Sequence, residues 1–206
     1  MLMNSVDIEK ICKAEGVVFN EKFVFSIPNG DSFLNDKKHS NGKYISSKNG
    51  NLKISNKING KVSAVDYEGL INSQERESKQ HDNQKKSCDF LIFKQDSDDF
   101  IVFCELKDCK IEYKVGMVSQ AEEQLISSLS RVVNCIEKIS DCCVVGVIGI
   151  RQRLSDNSIV KQNYDKFTNF DRKIVRRLKA KGFSMAFVTD HIKLSESEPN
   201  VRLPEK

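Results

Sequence analysis

Residues 88–109, CDFLIFKQDSDDFIVFCELKDC, are two apolar runs joined by a polar turn, and a chain that contains them needs a sheet with a buried antiparallel pair near its centre. The run FIVFCELK is apolar at odd and even positions alike until Glu105, the pattern of a strand covered on both faces. Yet Asp89 opens the hairpin and Glu105 and Lys107 close it. Unpaired charge in such surroundings costs on the order of several kcal/mol or more. If Lys94 pairs with Phe100 across the turn, Asp89 stands directly opposite Glu105, with Cβ atoms about 4.5–5.5 Å apart on one face. Lys107 shares that face, because strand side chains two apart point the same way. Two opposed carboxylates need a cation between them, either the lysine or a divalent metal. Hard oxygen ligands suit Mg²⁺, and the lysine can stabilise a developing hydroxide or the extra charge of a pentacovalent phosphate.

The flanking segments set the architecture. SVDIEKICKAE, residues 5–15, predicts a short amphipathic helix from a Ser5 cap to a stop at Gly16. From Val17 to about residue 60, short apolar stretches broken by Pro-Asn-Gly and Asn-Gly pairs predict small strands and hairpins. KVSAVDYEGLI predicts a further strand, and residues 72–87 are almost devoid of apolar side chains, as in a loop or an exposed helix. Beyond the hairpin, Val118, Ala121, Leu125, Leu129, Val132, Ile136 and Ile139 recur at three- and four-residue steps, predicting a helix over about 115–139. CCVVGVIGI reads as a buried strand, residues 164–181 as a second helix ended by Gly182, and FSMAFVTD as a last strand. The tail HIKLSESEPNVRLPEK has two prolines and little to pack, which predicts exposure.

From residue 61 this order is an antiparallel meander leading into crossover units, so the expected class is α/β, a mixed central β-sheet flanked by helices on its faces. The expected organisation is an N-terminal extension over 1–60, with a short helix plus strands, a core over 61–190 and a flexible tail over 191–206.

Asp89, then Glu105-Leu106-Lys107 at the end of the following strand, then a helix carrying QAEEQL, resemble the PD-(D/E)xK phosphodiesterase superfamily of restriction-endonuclease-like nucleases, over about residues 61–190. The resemblance implies a metal-dependent endonuclease acting on nucleic acid, DNA before RNA, in restriction, defence or junction processing. It implies Asp89 and Glu105 as ligands of Mg²⁺, for which Mn²⁺ can substitute, Lys107 as the residue that assists the attacking water, and Gln124 as an accessory catalytic residue, with Gln120 one turn earlier. Many members cut as homodimers, so a homodimer is an expectation here. The proline usually written before the aspartate is Cys88, and the acidic residue of an earlier helix has no clear match among Asp66, Glu68, Glu75 and Glu77.

Arg151 and Arg153, just past the buried strand, and Arg172, Arg176 and Arg177, within RKIVRRLKAK, are candidates for phosphate contact, or an ordinary solvated surface. His39, His81 and His191 have no partner spacing, Cys104 and Cys109 fit no common zinc pattern, and no Walker-type or GxGxxG loop exists. The net charge of +4 is a small difference between 33 basic and 29 acidic residues, so it selects no class of partner. Seven scattered cysteines, partly inside apolar runs, suit free thiols in a reducing cytoplasm. MLMNSVDIEK is too polar for a signal core, and the longest apolar run falls far short of a bilayer span. Two other classes stay open: a catalytically inactive nucleic-acid-binding module of the same fold, and a protein-interaction or assembly factor.

Overall fold

The computed structural model describes residues 8–35, 44–73, 86–95, 97, 99–108, 115–135, 141–151, 158–169 and 171–205. The apolar hairpin forms in the register that its turn suggests. Strand β6 (Phe90–Lys94) pairs antiparallel with β7 (Phe100–Lys107), Phe90 opposite Cys104 and Phe93 opposite Ile101. Carried one residue further, that register sets Asp89 opposite Glu105. On one side β6 pairs antiparallel with β5 (Val62–Asp66), and β5 with the edge strand β1 (Val24–Ile27). On the other side the chain crosses over through α3 (Val115–Val132) to lay β8 (Cys143–Ile150) parallel to β7. It crosses again through α4 (Ser158–Asn169) and α5 (Asp171–Ala180) to lay β9 (Met185–Thr189) parallel to β8. The result is a mixed six-stranded sheet, order β1-β5-β6-β7-β8-β9, in an α/β fold.

One face of this sheet carries helices. Ile11 and Cys12 of α1 (Ile8–Glu15), Leu125 and Leu129 of α3, Phe167 of α4 and Leu178 of α5 pack with Leu91, Phe103 and Ile148. The short helix α2 (Tyr67–Ile71) adds Tyr67 and Leu70 to the same cluster. Helices on both faces were expected, and the second face is different: a five-stranded sheet, order β11-β10-β4-β2-β3, covers it. Its strands are β2 (Gly30–Asn35), β3 (Tyr44–Ser46), β4 (Leu52–Asn56), β10 (His191–Leu194) and β11 (Val201–Arg202). The physical reason lies in alternation. Leu52, Ile54 and Asn56 of β4 are buried while Lys53 and Ser55 are half-buried, so these strands have one apolar face, and Leu34, Leu52, Ile54, Ile192 and Leu194 pack it on Phe90, Val102 and Val147.

Two expected boundaries therefore change. Residues 1–60 do not form a separate extension, since α1 and β1 belong to the first layer and sheet. Residues 191–206 are not a loose tail: β10 pairs parallel to β4 and antiparallel to β11, with Ile192, Leu194 and Val201 fully buried. Over the helix expected at 164–181 two helices are described, one ending at Asn169 and one beginning at Asp171, residue types that favour helix ends; residue 170 lies outside the described residues. The helix expected over 115–139 ends at Val132 and tightens into a 3₁₀ turn, Val133–Cys135; Ile136 and Ile139 lie outside the described residues. None of the described helices is long and apolar enough to cross a membrane.

The two sheets meet tightly at Gly149. A Cβ there would lie 2.8 Å from Leu106 Cδ2 and 3.0 Å from Leu52 Cβ, and the second atom is too near the backbone to yield. Gly149→Val is expected to cost about 1–3 kcal/mol through overpacking, read as a lower denaturant midpoint with an unchanged m-value.

Candidate active site

Asp89 and Glu105 are charged side chains at the heart of the fold, 4% and 2% exposed. Strand alternation places both on the face that also holds Leu91 and Phe103, beneath the helices. The Asp89 carboxylate accepts a hydrogen bond at Oδ2 from the Leu106 amide at 2.6 Å. Lys107 Nζ donates to Glu105 Oε1 at 2.6 Å, and its side chain is 14% exposed, so the ammonium reaches the rim of the pair. The main chain around Asp89 is fastened as well. The Tyr67 amide donates to the Asp89 carbonyl at 3.0 Å, and the Cys88 amide to Ser128 Oγ at 2.8 Å.

Gln124 of α3 is bonded to main chain rather than to either carboxylate. Gln124 Nε2 donates to the Ser87 carbonyl at 3.2 Å, and Ser128 Oγ donates to the Gln124 carbonyl at 2.8 Å. Gln124 is thus joined to the segment that leads into Asp89, and Gln120 is exposed. Tyr67 belongs to a second buried group on the flank: its hydroxyl donates to Glu15 Oε1 at 3.3 Å, and Arg131 Nε lies 2.9 Å from the same oxygen. Burial pushes the Tyr67 hydroxyl well above the ordinary tyrosine range, so it stays a donor.

Of the acidic candidates for a further ligand, Asp66 is buried and its carboxylate caps α2 by accepting from the Gly69 amide at 2.8 Å. Register sets Asp66 opposite Phe90, one residue out of step with Asp89. Glu68 is half-buried on α2, while Glu75 and Glu77 lie outside the described residues. Among the described residues no group of three or more His, Cys, Asp or Glu side chains is placed to hold a metal ion. The opposed pair Asp89 and Glu105 still has the donor chemistry that Mg²⁺ accepts, since that ion takes one or two carboxylates and keeps several waters.

The proposed phosphate contacts divide. Arg172 and Arg176 are exposed on α5, and Arg153 lies outside the described residues. Arg177 is engaged: its Nε and Nη2 donate to Glu122 Oε1 and Oε2 at 2.8 and 2.6 Å, a two-point pair that ties α5 to α3 and holds the guanidinium in its charged form. Glu122 is 7% exposed, and sequence reasoning did not single it out. Arg177→Ala is expected to lower stability by about 1–2 kcal/mol, because it strips a nearly buried carboxylate of a charged partner; chemical denaturation beside Arg176→Ala, which should be neutral, checks this. His191 also has a partner. Its Nε2 lies 2.7 Å from Ser55 Oγ, across the parallel β10–β4 pair, and burial together with nearby Lys53 depresses its pKa. No local spacing could reveal a partner so distant in the chain. No protein-family model, curated protein or solved structure matches the chain.

Proposed function

We propose that the chain is a cytoplasmic, metal-dependent nuclease of the PD-(D/E)xK type that hydrolyses phosphodiester bonds in DNA. The observation that carries this reading is the Asp89 carboxylate bonded to the Leu106 amide between Glu105 and Lys107, which share one strand face at the carboxyl end of a central strand. The run from β6 through β7 and α3 to a parallel β8 supports it. Strand ends in open α/β sheets are where sites are built.

In this reading Asp89 and Glu105 hold Mg²⁺, which when bound stabilises charge developing on the phosphoryl group and lowers the pKa of water. Glu105 also accepts from Lys107 and holds that ammonium at the strand end. Lys107 then positions the attacking water and offers positive charge to the phosphate oxygens. The bond between Asp89 and the Leu106 amide fixes one carboxylate to the strand that carries the other, so their separation is set by the backbone.

A second reading has its own support. Asp89 and Glu105 already have partners at 2.6 Å, in the Leu106 amide and Lys107, as a purely structural cluster would. The protein would then bind nucleic acid without cutting it. Incubating supercoiled plasmid, linear and branched DNA, and RNA with the full chain and Mg²⁺ or Mn²⁺ separates the two. Cutting that chelation abolishes is expected; retention without cutting under any metal favours the second reading, and light scattering of the active species tests the homodimer.

A further inference from the structure

A cleft of about 350 Å³ opens where the ends of β8 and β9 meet the starts of β4 and β10, lined by Phe33, Asn51, Lys53, Arg151, Asp190 and His191 among others. It does not belong to the Asp89–Glu105 site. Ile148 and Ile150 of β8 face the helices, whereas Gly149 meets Leu52 of the second sheet. Arg151, two residues after Gly149, follows it to that side, while Lys107 pairs with Ile150 and stays on the helix side. The two sites share one end of the six-stranded sheet and lie on opposite faces.

The walls carry both signs of charge, Lys53 and Arg151 beside Asp190, and are preorganised. Lys53 Nζ lies 2.7 Å from Asp31 Oδ2, and Ser55 Oγ joins Asp31 Oδ1 at 2.6 Å to His191 Nε2 at 2.7 Å, which fixes one wall. Among the described residues no hydrogen bond or ion pair holds the Arg151 guanidinium. On the adjoining outer surface Lys193 stands directly opposite Arg202 in the β10–β11 pair, a like-charge opposition that destabilises a sheet unless an anion offsets it. The Arg202 Nε is buried without a hydrogen-bond partner among the described residues.

We propose that this cleft binds a nucleotide, its phosphate taken by Arg151 and Lys53 and its base laid against Phe33, either as a free mononucleotide or as one unit of a strand. The volume is at the lower end of the about 300–1,000 Å³ typical of small-molecule sites, room for one such unit and no more. Guanidinium groups take phosphate through two parallel hydrogen bonds. An aromatic wall accepts any base through its π-face. Asp190, acceptor-only when ionised, suits the sugar hydroxyls rather than the phosphate. None of this rests on the nuclease reading.

The test is calorimetric titration of the full chain, without divalent metal, with thymidine 5′-monophosphate, a short oligothymidylate and inorganic phosphate. Arg151→Ala is expected to weaken nucleotide binding about ten- to hundredfold, and Arg151→Lys less. Binding of the mononucleotide supports a free ligand, and binding of the oligonucleotide alone supports a strand. Phosphate binding as tightly as either overturns the base contact. Absence of binding by all three, or binding untouched by Arg151→Ala in a chain with wild-type unfolding, overturns the site.

Discussion

Glu105→Gln and Lys107→Ala should each lower metal-dependent cleavage on the order of 10³-fold, equivalent to about 4 kcal/mol of transition-state stabilisation. The expected losses differ in origin. Glu105→Gln keeps the shape and removes a charge that the nuclease reading assigns to the metal. Lys107→Ala also takes the ammonium from a carboxylate 2% exposed, so part of its effect will be structural. The decisive variant is therefore the double replacement Glu105→Gln, Lys107→Met. It exchanges a nearly buried ion pair for neutral groups of similar volume, which is often neutral for stability. A double variant that unfolds at the wild-type midpoint and has lost cleavage separates chemistry from architecture. If it still cuts plasmid at the wild-type rate, the site is elsewhere.

Removing residues 191–206 should abolish native folding. Ile192, Leu194 and Val201 are each 0% exposed, and burying a side chain of this kind contributes about 1.5–3 kcal/mol. Their loss alone, about 4.5–9 kcal/mol by that measure, is comparable with the roughly 5–15 kcal/mol that holds a typical domain together. The truncation would also bare the edge of β4 and the apolar surface of Leu52 and Ile54. The expected product elutes as an aggregate on size exclusion and lacks a cooperative thermal transition by circular dichroism. A monomeric, cooperatively unfolding 1–190 chain would refute the role assigned to the last two strands.

That prediction reverses what the sequence suggests, and the reversal shows which physics is local. The β6–β7 register is legible because a short connection fixes it and both runs are uniformly apolar, and Asp89, Glu105 and Lys107 stand just beyond the paired residues. The α3 stripe could be read because its period lies within one element. The second sheet could not. Its strands are short, one-sided and punctuated by turn residues, and their neighbours come from both ends of the chain. HIKL alternates as a strand should, but alternation over four residues says nothing of a partner, and the prolines beyond it suggested looseness. At the candidate site, Gln124 could be recognised by its position on the helix, whereas its bond to the Ser87 carbonyl depends on how α3 seats against the sheet. The Glu122–Arg177 pair escaped notice for the same reason, since it spans two helices whose relative placement no periodicity encodes.

The parallel pairing of β4 with β10 also sets an order of events during synthesis. At about 5–20 residues per second, β10 leaves the ribosome on the order of ten seconds after β4. Through that interval β2, β3 and β4 can form their antiparallel ladder and lay Leu34, Leu52 and Ile54 on β6, β7 and β8 as these emerge, but the edge of β4 that β10 pairs with stays open. Lys53 and Asp31, outward-facing charges on the waiting strands, are the kind of residue that discourages a nascent edge from pairing with a neighbouring chain. The five-stranded sheet therefore stays incomplete until β10 and β11 have been made, which makes its closure a late step of folding.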